Sequence, residues 1–403
     1  FTGKKIKKVM SFGRMPIANE FLKSKNKSQY KYSMDIAFNE QYGLFQLINI
    51  PNQKKIFNSN YAFLSSTSNS MDIHFKKISK EIKKKYLKNN NSKILEIGCN
   101  DGIFLKNFKR YNHVGIEPSE NVYKMSKKKG LNVYNYFFDK NLIKKKNLEK
   151  KIDCIFAANV ICHIPNLTSL FKSAYQSLKQ NGVFIFEEPY LGDMIDKTSY
   201  DQIYDEHCYM FSAYSINSLS KKFGLKLFDL KKSPTHGGSM RYYLCKDRSY
   251  KISKEVLKVL RNEISKKLHK ISSIKKFKKN CEKSKKNLIS IVNKVNSENN
   301  IIYGYGATSK STTILNYCNI GKNEIKGIFD TSSTKINKFS PGKKIPIIDY
   351  KKFNKINPSY CILFAWNHYK EIFNKEKNKK IKWISHVNKI HFEKKYRKKF
   401  ISQ

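Results

Sequence analysis

No cysteine precedes Cys99, and no two of the eight cysteines (Cys99, Cys154, Cys162, Cys208, Cys245, Cys281, Cys318, Cys361) are spaced C-x-x-C. That excludes a zinc knuckle built from cysteine pairs and argues for a reducing compartment, the cytoplasm. Acids are scarce as well: 31 Asp and Glu stand against 80 Lys and Arg, a formal charge of +49. Long apolar runs are missing. The longest, 183–186 and 360–366, are strand-sized, so no segment should span a bilayer and the chain is expected to be soluble. No signal-like segment follows Phe1, which is not an initiator methionine, and the reading leaves room for residues upstream of it.

So large a positive charge points first to nucleic acid or an anionic membrane surface. The lysines run over the whole length, however, with abundant Asn and Ile and only nine prolines, the bias an AT-rich coding sequence imposes. Most of the charge is therefore read as solvated surface. RNA binding stays as the alternative, because 13% aromatic residues could supply stacking platforms between the basic groups.

At 403 residues the chain is too long for one core and predicts two or three domains. Its organising stretch is 93–118, KILEIGCNDGIFLKNFKRYNHVGIEP. An aliphatic run over 93–97 reads as a buried parallel strand. Gly98, Asn100 and Gly102 then break the pattern before a helical run begins at Ile103. A second strand over 113–116 ends on Glu117, where a bound ribose would present its hydroxyls. The loop departs from the dinucleotide fingerprint in its first glycine and in its acids, Glu96 and Asp101. Acids repel a pyrophosphate and suit a cationic sulfonium with its amino acid tail. The competing readings are a structural strand turn and a nicotinamide site.

Residues 1–85 mix short strands with turns at Gly13, Pro16, Gly43 and Pro51 and read as a small cap. A basic helix over 78–88 leads into residues 86–250, where strands and helices alternate as in a doubly wound α/β domain. There a strand ends at Ala158 and Asn159, at the crevice, with His163 just beyond. The segments 225–230 and 237–246 predict an antiparallel pair at the sheet edge. Residues 251–298 carry helical periodicity and read as a linker. From 299 to 403 the strand, loop and helix pattern returns, with Gly304, Gly306 and Ala307 in the loop and Asp330 at the end of the next strand, like half of a Rossmann fold. A lone G-x-G-A is either a tight turn or a site for the nucleotide of a substrate.

Three clusters could carry chemistry. Tyr204, Glu206 and His207 lie in YDQIYDEHCYMFS, where an imidazole beside a carboxylate is either a general base with a fixed tautomer or a surface pair. Asn159 and His163 sit at the crevice, the histidine as a packing or orienting residue. His236, Gly237, Gly238, Ser239 and Arg241 combine close backbone approach with an arginine that could clamp a phosphate.

Together these stretches resemble, over nearly the whole chain, the three-domain S-adenosylmethionine-dependent C-methyltransferases of nucleotide-linked keto-deoxysugars. The matching motifs are SFGRMPIANEFL, YAFLSSTSNSMDIHF, EIGCNDG, GIEPSENV, ANVICHIPNL, YDQIYDEHCYMFS, HGGSMRYYL, YGYGATSKSTTILNY, PGKKIPI and FAWNHYKEI. The resemblance implies a small zinc-binding N-terminal domain, a class I methyltransferase domain and a C-terminal Rossmann-like domain, with the sugar between them. It implies His207 as base, surrounded by Glu206, Tyr204, His163 and an N-terminal tyrosine, either Tyr61 or, with the hydroxyl lost, the position of Phe63. It implies S-adenosylmethionine on Glu96, Gly98, Asn100, Asp101, Gly102, Glu117, Pro118 and Asn159, and the substrate on Tyr190, His236, Ser239 and Arg241. Asn39 and Tyr42 stand where zinc cysteines are expected, and only scattered groups such as His74 remain, so zinc is not expected.

Three rivals remain. A nucleic-acid methyltransferase has only the charge in its favour, since the fourth strand ends ANVICH and the superficially similar Glu187-Glu188-Pro189-Tyr190 comes one strand later, with a glutamate replacing the first proline of the amino-methylating N/D-P-P-Y motif. A nicotinamide-dependent sugar oxidoreductase would use Gly304 to Ala307. A degenerate scaffold would have lost the metal and the activity.

Overall fold

The computed structural model describes residues 6–401 apart from 60, 62, 63 and 247–249; Phe63 thus lies outside the described residues. Strands β1 (Lys8–Pro16), β2 (Lys31–Asn39) and β3 (Leu44–Leu47) form an antiparallel meander. Its inner face buries Met10, Phe12, Met34, Ile36 and Phe45.

The next strand is β4 (Lys93–Ile97), entered through the helix Asn69–Tyr86. That helix does not belong to the cap, as the boundary at 85 assumes: its Phe75, Ile78 and Ile82 pack with Phe104, Phe156 and Ile94 against the sheet that β4 opens. Its start is set by the Ser68 hydroxyl, which accepts from the Met71 amide. Strands β5 (Asn112–Ile116), β6 (Val133–Tyr134), β7 (Ile152–Ala158) and β8 (Leu178–Pro189) follow. Between β4 and β5 only a 3-10 turn, Leu105–Phe108, forms. The helix predicted from Ile103 is thereby cut short, because the segment is spent on burying Phe104, Leu105 and Phe108 under the sheet.

The strand β9 (Tyr209–Met210) lies inside the loop that carries His207, and it pairs with β3 (Phe45 opposite Met210), completing the N-terminal sheet in the order β1-β2-β3-β9. Strands β10 (Leu225–Ser233) and β11 (Ser239–Lys246) form the expected antiparallel edge pair. The central sheet then runs β10-β11-β8-β7-β4-β5-β6, parallel from β8 to β6. Strand order reverses between β4 and β7, so their carboxyl ends open the crevice where such sheets bind ligands.

Helices Lys254–Ser265 and Ile271–Ser297 are more than a linker. The first packs Val256 and Val259 on the methyltransferase core, and the second packs Phe277 edge-on to Phe45 of the N-terminal sheet. Strands β12 (Ile302–Tyr305), β13 (Ile328–Asp330), β14 (Ile347–Asp349), β15 (Tyr360–Leu363) and β16 (Lys382–Ile384) form a parallel sheet in the order β14-β13-β12-β15-β16.

The turn between β2 and β3 is closed without metal: the Asn39 side chain accepts from the Tyr42 amide at 3.1 Å, and Tyr42 packs on the central core. His74 is bonded to Glu187 at 2.8 Å. A protein beginning at Phe1 should therefore fold as purified and keep its melting temperature when treated with a strong chelator. One tightly held zinc per chain by elemental analysis would show the opposite.

Candidate active site

A cavity of about 1340 Å³ runs from the β4 loop to the C-terminal sheet. At one end Gly98 has φ +65 and lies against Val160, so a β-carbon there would meet the valine Cγ2 at 2.4 Å. Only glycine fits. Glu117 closes this end: one carboxylate oxygen accepts from the Asn100 amide at 2.9 Å, the other from the Ser119 amide at 2.8 Å. Pro118 lines the cavity beside it, as do Gly98, Asn100 and Asn159. The Asn159 amide nitrogen bonds the His236 ring at 2.9 Å, while its Oδ1, though buried, has no partner among the described residues.

Three predicted cofactor residues stand back from the cavity. Glu96 is buried behind the loop, where burial and the Glu117 and Asp101 charges push its carboxyl well above the usual carboxylate range. Asp101 is buried and paired with Lys129 at 3.2 Å. Gly102 has φ +80 and packs under Leu131. All three shape the loop and none lines the cavity.

His207 sits in the middle. Its Nδ1 lies 2.6 Å from the Gln202 carbonyl, which can only accept, so the proton is on Nδ1 and the lone pair on Nε2. The Tyr204 hydroxyl donates to that lone pair at 2.8 Å. Burial, with His163 and Lys310 nearby, drives the His207 pKa well below the usual imidazole value, so the ring is neutral at pH 7. Sequence proximity misled here: Glu206 does not set the tautomer. Its carboxylate instead accepts from the Asn19 side chain at 2.6 Å and from the Tyr61 hydroxyl at 3.2 Å.

His163 stacks between Phe57 and His207, with ring centroids 5.7 and 5.3 Å away. Burial and His236 lower its pKa to about 3, and its Nε2 has no partner among the described residues. The Cys162 thiol also comes close, ligand atoms of the trio lying within 4.8 Å of one another. Both nitrogens of His207 are already engaged, by Tyr204 and the Gln202 carbonyl, so the trio offers no complete ligand set for a metal.

The expected phosphate clamp is absent. Arg241 is buried and gives both Nε and Nη2 to Glu187, at 3.0 and 2.8 Å. Burial would raise the Glu187 carboxyl, but His74, Arg241 and Thr235 bring it to about 2. Ser239 bonds the Thr235 carbonyl, and the Tyr190 hydroxyl donates to the buried Glu263, so neither reaches the cavity. Of the four predicted substrate residues only His236 lines it. Glu188 accepts from the Val160 and Ile161 amides. The Glu187 to Tyr190 stretch is thus wholly structural.

Sequence reading missed the far wall. Lys310 and Lys335, both enclosed, face the cavity from the C-terminal domain, with Lys197 and Lys370 nearer its mouth. Trp366 lies under the Lys310 ammonium, 5.1 Å from ring centroid to nitrogen. Lysines so frequent along the chain gave no signal that these differ. The G-x-G-A loop is a tight turn: a β-carbon on Gly306 would meet the Ala365 Cβ at 2.7 Å, and Asp330 accepts from the Ala307 amide at 2.7 Å.

A family model described as a C-methyltransferase C-terminal domain matches residues 234–387, and one described as a methyltransferase domain matches 72–230. The C-methyltransferase NovU of Streptomyces niveus is 24% identical over 378 residues, 92% of this chain and 89% of that protein. The chain thus carries a methyltransferase domain followed by a C-methyltransferase C-terminal domain. An S-adenosylmethionine-dependent methyltransferase from Clostridium acetobutylicum is similar over 43% of this chain and 92% of that one, at 19% identity and TM-score 0.34, a likeness too loose to say anything of activity. No helix among the described residues is long and apolar enough to cross a membrane.

The enzyme uses S-adenosylmethionine, and the β4 loop fits it: Glu117 stands where the ribose hydroxyls would lie, and the unpartnered Asn159 Oδ1 offers an acceptor to a cationic group. Charge-assisted hydrogen bonds contribute about 1.5 to 3 kcal/mol each. Glu117→Ala should weaken S-adenosylmethionine binding at least tenfold by calorimetry. Asp330→Ala should leave it nearly unchanged, and the reverse order would move the cofactor to the other domain.

The buried histidines also leave a pH signature. Burial, with Lys310 adjacent, lowers the His236 pKa to about 3. An unfolded histidine takes a proton near pH 6.5 that this one refuses, so its stabilising contribution is full above 6.5 and drains away as pH falls toward 3. Whatever His236→Asn costs in melting temperature at pH 8, the cost should shrink by pH 5. A pH-independent difference would mean that His236 takes its proton as readily in the fold as in the unfolded chain.

Proposed function

We propose that this C-methyltransferase methylates the carbon next to a ketone on a nucleotide-linked deoxysugar. The observation that carries the reading is His207: an enclosed imidazole, neutral at pH 7, with Nε2 as its lone pair, in a cavity that also holds the cofactor loop. Such a carbon becomes nucleophilic only after it loses a proton, and a positioned base contributes about 10²- to 10⁴-fold to that step. Bound S-adenosylmethionine supplies an electrophilic methyl group. The protein does the rest.

His207 Nε2 takes the proton. Once protonated it becomes a donor, so the Tyr204 oxygen accepts from it and the phenolic hydrogen turns to the developing enolate oxygen. Glu206, bonded by the Asn19 side chain and the Tyr61 hydroxyl, anchors the loop that carries His207. Lys310 and Lys335 favour an anionic group at the far end, the place a diphosphate would take, with Trp366 as a platform beside it, whereas Lys197 and Lys370 are already paired with Asp193 and Glu393. None of Glu187, Glu188, Pro189 and Tyr190 lines the cavity, which speaks against an amino-methylating nucleic-acid site there. Catalysis in the cytoplasm fits the uniformly reduced, buried cysteines.

Mass spectrometry of a panel of keto-sugar nucleotides incubated with labelled S-adenosylmethionine tests the substrate class. His207→Ala should keep the fold and cofactor binding yet lose both methylation and solvent deuterium exchange at the substrate's alpha carbon. If His207→Ala exchanged at the wild-type rate while His163→Ala did not, the base would be His163.

A further inference from the structure

Asn19 lies in the loop after β1 and lines the cavity. Its Nδ2 donates to Glu206 Oε1 at 2.6 Å, and its Oδ1 accepts from the Ser309 hydroxyl at 3.0 Å. Ser309 is the first residue of the C-terminal domain's helix Ser309–Tyr317, with the cavity cation Lys310 next to it. Because a serine hydroxyl can donate to the amide oxygen but a carboxylate can only accept, these two partners fix which way the amide points. The neighbouring residue is tethered as well: Ala18 N donates to Asp205 at 2.8 Å, and the Ala18 carbonyl accepts from Thr312 at 2.9 Å. The strap therefore bridges the base loop and the C-terminal helix at two successive residues.

We infer that Asn19 is a positioning residue for the reaction: oriented by Ser309, it holds the Glu206 carboxylate beside Tyr61 and so couples the C-terminal domain to the base loop. The inference deepens the proposed mechanism and rests on it for its kinetic part only. Glu206 faces Tyr61 from the N-terminal segment, Asp205 and Tyr204 from its own loop, Cys208 behind it and Cys162 from the turn after β7. None of these is a cation. Asn19 is thus one of two groups that donate to a carboxylate with acidic neighbours.

Asn19→Asp keeps the shape and replaces a donor with a second carboxylate. Two such groups at hydrogen-bond distance cannot both be charged, so one carboxyl titrates at raised pH and the shared proton takes the place of the lost N–H. Carboxyl NMR on protein labelled at glutamate should show Glu206 titrating at higher pH in Asn19→Asp than in wild type, without any substrate. With the substrate found above, kcat should fall about 10- to 100-fold at pH 8 and recover part of the loss at pH 6, with KM for S-adenosylmethionine within about twofold. Ser309→Ala, which leaves the fold intact, should lower kcat a few-fold with no change in pH profile. An unchanged Glu206 titration in Asn19→Asp, or a Ser309→Ala effect confined to KM for S-adenosylmethionine, would overturn the inference. If no keto-sugar nucleotide is methylated by wild type, the substrate reading fails while the NMR result still decides the role of Asn19.

Discussion

A carboxylate removed from water is tolerable only where its charge is met, and Asp201 is met entirely by another domain. Its two oxygens accept from the His386 ring at 2.9 Å and the Trp366 indole at 2.6 Å. Burial alone would raise this carboxyl, yet His386, Lys310 and Trp366 hold it below the usual value. Removing one partner of a buried charge pair commonly costs about 3 to 5 kcal/mol. The segment that follows is held the same way, since Thr313 donates to the Ile203 carbonyl at 2.9 Å. Between these two anchors lies Gln202, whose carbonyl fixes the His207 tautomer. The protonation state of His207 is therefore set by packing against the C-terminal domain, whose Lys310 also lowers its pKa directly.

Charge is mixed along the cavity. Glu117 lines it at the β4 loop, Lys310 lies close enough to His207 and His236 to lower the pKa of both, and at the C-terminal end Asp193 pairs with Lys197. The net charge of +49 says little about this. Most lysines are solvated, and the ones that matter are those the fold encloses.

The parts legible from sequence were those encoded locally. The strand, glycine loop and acid of 93–117 follow from spacing alone, as does the edge hairpin, because period and turn chemistry are read within a dozen residues. The family motifs carried His207, Tyr204, Glu206, His163 and Tyr61 to one cavity. What failed depended on partners far along the chain. Arg241 looked free for phosphate because its acid, Glu187, is 54 residues away on a neighbouring strand. Tyr190 was spoken for by Glu263, 73 residues on. Glu206 was assigned to its neighbour in sequence, whereas its real partners lie in the N-terminal segment. The helix read over 78–88 begins at Asn69, and the boundary at 85 gave it to the cap because its basic face hid the apolar stripe that joins it to the central sheet.

The pairing of β3 with β9 has a consequence for how the chain is made. Phe45 and Gln46 find their strand partners at Met210 and Tyr209, so the N-terminal sheet cannot close until more than half of the polypeptide has left the ribosome. Contacts so distant in sequence form late and slowly, and domains otherwise tend to fold from the N-terminus as they emerge. Here the β1–β3 meander must wait with an open sheet edge, and the loop bearing His207 takes its final form only when that edge is filled. Assembly of the catalytic loop and completion of the cap are one folding event.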